Sequence, residues 1–339
     1  MGSGVFYYED YEGRLVPIED FQSLSETPKP KFLRCYNNIL LPLEDICFQG
    51  KTKFNEVVIG LHKEFGKILI LNGQIQSAEN LEFIYHESIV HLGAFYFDPN
   101  LHPIENVFII GGGEGATLRE VLKYKSLKNV VMCDIDEELI KICCQYLPSY
   151  NNNGKVFFND SRVKLVFEDA FEYLLTTEDR YDLIIFDVTD PDENSSHLYS
   201  VEFFELVKER LQNFGRFTGH ALSISRESTD KNHRLMYKNL EKVFDEVRIF
   251  TIPLLQPYYC NQPIFVVYKQ SPNYNRYHHN LWINEVFCGV DLNYKGRNFH
   301  ISAWGNIIRK HLNDTLKYLT PHTVRALMFY DEYQQSLYL

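Results

Sequence analysis

From Glu56 onward, the apolar residues gather in three short strand-like runs, EVVIGLH, KILILNG and QIQSA, with Gly66 and Gly73 between them. Strand-like runs punctuated by glycines predict a small antiparallel meander. Residues 1–50 show no clear periodicity, and residues 1–80 are assigned to a β-rich N-terminal domain. The pattern then changes. Residues 81–97 (EFIYHESIVHLGAFY) carry helical spacing. After them, short apolar runs alternate with amphipathic stretches. NVFII (106–110), NVVMCD (129–134), VKLVF (163–167), YDLIIFD (181–187) and GRFTGH (215–220) read as strands, with VRIFTI and IFVVYK as the last two. Helical spacing falls at 115–125, 137–147, 170–176, 200–212 and 229–243. Such alternation predicts an α/β fold, a parallel sheet covered on both faces, with ligands at the carboxyl ends of the strands. This second domain is assigned to residues 81–339, and it closes in a polar, aromatic tail with a helix near 302–318.

Composition adds limits. The chain has 339 residues, 45% hydrophobic and 15% aromatic, enough to bury a core. Its 45 acidic and 34 basic side chains give a formal charge of −11. That argues against nonspecific binding to nucleic acid or an anionic membrane. The segment from Met1 to Pro17 lacks a basic stretch followed by an apolar run, and no window of 18 apolar residues occurs, so neither a secretory signal nor a membrane span is expected. Seven scattered cysteines with no CxxC pair fit reduced thiols and a cytoplasmic protein, not a zinc site. Cys143 and Cys144 read as helix packing. Asn151 to Asn153 read as a loop, as do His278 and His279, and no metal site is expected.

The candidate chemistry lies at the strand ends. IIGGGEGATLREVL (109–122) runs a strand through Gly111-Gly112-Gly113-Glu114-Gly115 into a helix. Glycines let the backbone turn sharply and approach a ligand closely, and a helix start offers free N–H groups. Asp134 ends the next strand, where a carboxylate can accept both hydroxyls of a ribose. Dinucleotide sites share that device, so it does not choose the ligand; a tight turn with no ligand is the plainer reading. Asp169, before Ala170, can accept from an adenine amine or simply cap the following helix. Asp187 and Asp190 end the fourth strand of the sheet, spaced to hold an ammonium group or take its proton; the alternative is an ordinary Asp-Pro turn.

LNGQIQSAE (71–79), EFIYHE (82–87), GGGEGATLREVL (111–122), VVMCDIDEELI (130–140) and YDLIIFDVTDP (181–191) resemble, in order and spacing, the motifs of the spermidine and thermospermine synthases. The resemblance covers about residues 45–315. It implies a β-domain followed by a Rossmann-like, class I methyltransferase-type domain, usually dimeric, so a homodimer is expected. It also implies transfer of an aminopropyl group from decarboxylated S-adenosylmethionine to an amine, releasing methylthioadenosine, with no prosthetic group. By position, Gly111, Gly113 and Gly115 would line the donor, Asp134 would hold its ribose, and Asp169 with Ala170 its adenine. Gln76 and Glu114 would sit by the sulfonium and aminopropyl end. Tyr85 and Asp190 would flank the attacking nitrogen, Asp190 as general base, with His86 nearby and Asp187 in support.

The departures fall mainly on the acceptor side and over the adenine. Leu81 replaces an aspartate, Phe54-Asn55-Glu56 replaces Tyr-Gln-Asp, and Glu193-Asn194-Ser195 replaces roughly Gly-Pro-Ala. Gly219-His220 stands where the family carries a glutamine, and the loop at 252–263 is longer and more aromatic. Tyr258 and Tyr259 in that loop either stack on a flat acceptor or pack. The acceptor is therefore a small amine or an adenine-type molecule. The second case would transfer an aminocarboxypropyl group from intact S-adenosylmethionine, as discadenine synthase does, with Arg119 or a backbone amide for the donor carboxylate. A small-molecule methyltransferase and a non-catalytic donor-binding protein are the other readings.

Overall fold

The computed structural model describes residues 5–9, 15–17, 32–34, 40–222, 231–254, 260–270, 274–276, 311–313 and 316–317. The chain opens with β1 (Val5–Glu9), β2 (Leu15–Pro17), β3 (Phe32–Arg34) and β4 (Leu40–Pro42), an antiparallel sheet in the order β2-β1-β3-β4. A second antiparallel sheet, the predicted meander with one strand added, holds β5 (Asp45–Lys51), β6 (Glu56–His62), β7 (Gly66–Leu71) and β8 (Gln74–Ala78) in sequence order. Its tight turns place Asn72 and Gly73 at positive φ, which their short side chains tolerate.

Both faces of this meander are covered. Val57, Ile59, Leu69 and Leu71 pack with Leu139, Cys143 and Leu147, while Ile68 and Ile70 pack with Leu41 and Leu43. Successive side chains of a strand point to opposite faces, so KILIL reads as a continuous apolar run because both of its faces meet a partner. β5 has no fully buried residue, which is why the sequence shows no alternation there.

The second unit holds α1 (Glu82–Ala94), β9 (Asn106–Gly111), α2 (Ala116–Val121), β10 (Asn129–Cys133), α3 (Glu137–Tyr146), α4 (Lys155–Phe158), β11 (Val163–Val166), α5 (Ala170–Thr176), β12 (Tyr181–Asp187), α6 (Val201–Arg210), β13 (Leu211–His220), α7 (Lys231–Val243), β14 (Val247–Leu254) and β15 (Cys260–Tyr268). Its seven strands lie in the order β11-β10-β9-β12-β13-β15-β14. The first five are parallel, and β15 runs antiparallel between β13 and β14. Val107, Ile109, Leu183 and Ile185 face one apolar layer, and Phe108, Ile110, Ile184 and Phe186 the other. The order reverses between β9 and β12, which opens a crevice at their carboxyl ends.

Two expectations change. The helix expected over 115–125 starts at Ala116 and stops at Val121, because Gly115 is left-handed (φ 88°) and Tyr124 turns inward to pair with Leu312. The strand expected from 215 begins at Leu211 and kinks through Phe214, whose φ is 60°. Asn151 lies in a turn, as expected. It is fully buried and donates to the carbonyls of Glu114, Cys143 and Leu147. Cys143 packs in the core as expected. Of the tail, only residues 274–276, 311–313 and 316–317 are described; Tyr258, Tyr259, His278 and His279 lie outside the described residues. Among the described residues, no helix is long and apolar enough to cross a membrane.

Candidate active site

β9 ends against β12, pairing Gly111 with Asp187. There the chain turns through Gly111 and Gly112, at φ 75° and 79°. A Cβ on Gly111 would stand 2.3 Å from the Asp187 carbonyl, which accepts the Gly112 N–H at 2.9 Å. A Cβ on Gly113 would come within 2.9 Å of the Asp134 carboxylate. The loop is thus closed on the strand side and bare on the crevice side, where a ligand can lie against backbone.

Asp134 follows the end of β10 and accepts the Asp136 N–H at 2.8 Å. Burial dominates its environment and raises its pKa to about 6. Asp136 caps α3 through the Leu139 N–H and also accepts from Thr52 at 2.6 Å and Asn55 at 2.8 Å. It thereby ties the meander to the Rossmann-like sheet. After β11, Asp169 caps α5 by accepting from Phe171 and Glu172, and its second oxygen meets His197 at 2.8 Å.

The next strand along the chain, β12, supplies the acidic half. Asp187 accepts from the Tyr85 hydroxyl at 2.9 Å and the Thr117 hydroxyl at 2.6 Å. Burial and the neighbouring Asp187 push the Tyr85 phenol well above its ordinary pKa, so it stays protonated and donates. Asp190, three residues on, is exposed at the mouth and carries no hydrogen bond on its carboxylate from the described residues. Glu114 accepts from Ser77 at 3.0 Å and from His86 Nε2 at 2.8 Å. The other nitrogen of His86 meets Glu82 at 2.8 Å, and Glu82 meets Arg119 at 2.9 Å. Burial opposes charge on His86, but hydrogen bonds to Glu114 and Glu82 outweigh it and raise its pKa to about 10.

One cavity collects these groups. Its walls include Gly111, Gly112, Gly113, Tyr85, Gln76, Ala170 and His220, and eight carboxylates: Glu114, Asp134, Asp136, Glu168, Asp169, Asp187, Asp190 and Asp192. No lysine or arginine among the described residues lines it.

Residues 82–278 match the spermine/spermidine synthase domain, and residues 36–79 the spermidine synthase tetramerisation domain. The chain belongs to the spermine/spermidine synthase family. A polyamine aminopropyltransferase of Buchnera aphidicola is 32% identical over 265 residues, 77% of this chain and 88% of that one. Another, of Aeropyrum pernix, is 36% identical over 214 residues, 62% of this chain and 65% of the relative. Among solved structures, a spermidine synthase with the transition-state analogue AdoDATO superposes at a TM-score of 0.70, 24% identical, covering 90% of this chain and 93% of that one. The spermidine synthase of Thermotoga maritima gives 0.68 at 24% identity, covering 91% and 95%. As a member of this family the chain is a transferase of the aminopropyl-transfer class.

Of the family positions named from sequence, Gly111, Gly113, Glu114, Asp134, Asp169, Ala170, Gln76, Tyr85, Asp187 and Asp190 share the cavity. Gly115 does not line it. It is the N-cap of α2, and a Cβ there would meet Phe157 at 2.5 Å. His86 does not line it either, being buried behind Glu114 with both nitrogens occupied. Arg119 is engaged by Glu82, Glu120 and the carbonyls of Ser149 and Tyr150. Sequence reading gave no role to Thr117, Ser77, Glu82, Asp136 or His197. Glu82 and His86 are four apart on a helix, a readable signal; the others act across long separations.

Proposed function

We propose that the chain transfers an aminopropyl group from decarboxylated S-adenosylmethionine to an aliphatic di- or polyamine, releasing methylthioadenosine. The observation that carries this is a cavity with eight carboxylates and no lysine or arginine among the described residues. A sulfonium, a donor ammonium and a protonated polyamine suit it. The carboxylate of intact S-adenosylmethionine would enter beside like charges, and Arg119, its candidate partner, is committed elsewhere. The donor's adenosine lies along the glycine loop, with Asp134 on its ribose and Asp169 and Ala170 at its adenine. Its aminopropyl end faces Glu114 and Gln76. Asp169 already caps α5, so its His197-bonded oxygen is the one turned to the base.

The chemistry needs no metal. The sulfonium is a built-in leaving group, and alignment of an uncharged nitrogen with the carbon beside sulfur supplies most of the catalysis. An alkyl ammonium has a pKa of roughly 10 and must first lose a proton. Asp190 takes it as general base, since its exposure lets it hand the proton to water. Asp187, which already accepts from Tyr85 and Thr117, orients and balances charge. His86 acts as a positioning group for Glu114, in place of an acceptor contact. Tyr258 and Tyr259 remain candidate acceptor walls.

The same proposal includes assembly through the N-terminal sheets, with a boundary near residue 80, and a cytoplasmic setting. The matched N-terminal domain supports an oligomer; a homodimer is the specific expectation, and light scattering separates it from a tetramer.

To test the transfer, purified protein is given decarboxylated or intact S-adenosylmethionine with a diamine or an N6-substituted adenine, and products are weighed by mass spectrometry. Aminopropylated amine and methylthioadenosine are expected from the decarboxylated donor alone. Turnover confined to the intact donor, or methyl transfer, would overturn the proposal.

A further inference from the structure

His220 is the last residue of β13, next to β12 in the sheet, with Phe186 facing Gly219 in the ladder. It therefore stands one strand beyond Asp187, on the side away from β9 and β10, whose ends carry the donor loop and Asp134. The residue is 8% exposed and borders the cavity that Tyr85, Asp187 and Asp190 also line. The Tyr85 ring meets it edge-on at 6.0 Å between centroids. Its Nε2 has no hydrogen-bond partner. Buried polar atoms in folded proteins are almost always paired. Of the unpaired buried side-chain atoms on Tyr181, Arg216 and His220, only the one on His220 belongs to a cavity-lining residue.

Burial lowers the imidazole pKa, against the pull of Asp190 and Asp187 and with the help of His233, so the ring is neutral. A neutral imidazole accepts a hydrogen bond on one nitrogen, and rotation about its Cβ–Cγ bond can present either nitrogen to the cavity. The strand end is held fast. A Cβ on Gly219 would meet Phe186 at 2.6 Å and Phe265 at 2.8 Å, so His220 has a fixed origin.

We propose that His220 is a specificity-determining residue that accepts a hydrogen bond from the nonreacting nitrogen of an α,ω-diamine or longer polyamine. The inference rests on the aminopropyl-transfer reading. In that reading the reacting nitrogen lies by Tyr85 and Asp190, and the rest of the acceptor extends over β13, away from the donor. The second nitrogen then satisfies a ring atom that is otherwise left unpaired. An acceptor with carbon at that point leaves it unpaired, which is how a polar site rejects an apolar analogue.

The test compares 1,4-diaminobutane with 1-aminobutane, identical at the reacting amine but differing in the second nitrogen. In the wild type the diamine is expected to win in kcat/KM. In His220→Leu the diamine should lose roughly tenfold to a hundredfold while the monoamine changes little. His220→Gln, which keeps a hydrogen-bonding group, should recover most of the preference. Equal losses for both amines, or no loss in His220→Leu, would overturn the assignment. Calorimetric binding of the two amines to protein saturated with methylthioadenosine reads the contact without turnover. A wild type that binds the diamine in preference through His220 yet transfers nothing would refute the transfer reading and keep the contact. Equal binding of both amines by wild type and His220→Leu would refute the contact.

Discussion

His86 shows how much of this site is set by groups that never touch a substrate. Its imidazole donates to Glu82 on one side and Glu114 on the other, both at 2.8 Å, so the ring is a buried cation between two anions. Such a group stabilises the fold fully below its unfolded pKa of roughly 6.5. That contribution is lost as pH rises through its folded value of about 10. Unfolding free energy should therefore fall by a few kcal/mol across this alkaline window, measured by urea titration. In His86→Gln the alkaline slope should flatten, and KM for the donor should rise because Glu114 loses its anchor. An unchanged slope would show that the ring is neutral in the fold.

Asp134 has the opposite sign. Burial raises its pKa to about 6, above an unfolded value near 3.8, so its charge costs stability once pH exceeds the unfolded pKa. Asp134→Asn should be more stable at pH 7 by on the order of 1–2 kcal/mol. The same variant should bind methylthioadenosine at least about tenfold more weakly, because an amide accepts only one ribose hydroxyl well. In the wild type, affinity should fall as pH drops through about 6. Calorimetry between pH 5 and 8 checks both statements.

At the scale of elements, the turn after β9 decides whether there is a site at all. Gly111→Ala would drive a Cβ into the Asp187 carbonyl, 2.3 Å away, at a residue with φ of 75°. Backbone must move, so a loss of about 2–4 kcal/mol is expected, with donor binding abolished. Far-UV circular dichroism on melting and a binding titration measure the two effects; a variant that binds normally would mean that the loop has slack. This turn was legible in the sequence because strand, glycines and helix are contiguous. So were Asp134, Asp187 and Asp190, each in a run that marks a strand end. Asn151 was not, since a buried side chain bracketing three carbonyls reads like any polar loop residue. Nor was β5, whose half-buried faces carry no alternation. The direction of β15 also escaped, because an apolar run has the same pattern either way. Position in a family motif could not reveal that both nitrogens of His86 are spent.

For the whole molecule, the formal charge of −11 matters less than where the charge gathers. Eight carboxylates line one cavity that no lysine or arginine among the described residues shares, so its mouth attracts cations and repels anions. Surface fields are screened over about 10 Å at 0.1 M salt and over about 3 Å at 1 M. Encounter with a diamine or triamine should slow as salt rises, and the slope should steepen with the amine's charge. From low salt to about 0.5 M, kcat/KM for a triamine is expected to fall roughly tenfold or more, and for a diamine by less. Methylthioadenosine carries no charge, so its affinity should change by less than about twofold over that range. Stopped-flow or steady-state rates against ionic strength, with methylthioadenosine binding as the control, decide the matter. Equal salt slopes for amines of different charge would mean that the carboxylates act only after contact, as local partners of bound nitrogen, and do not draw the acceptor in.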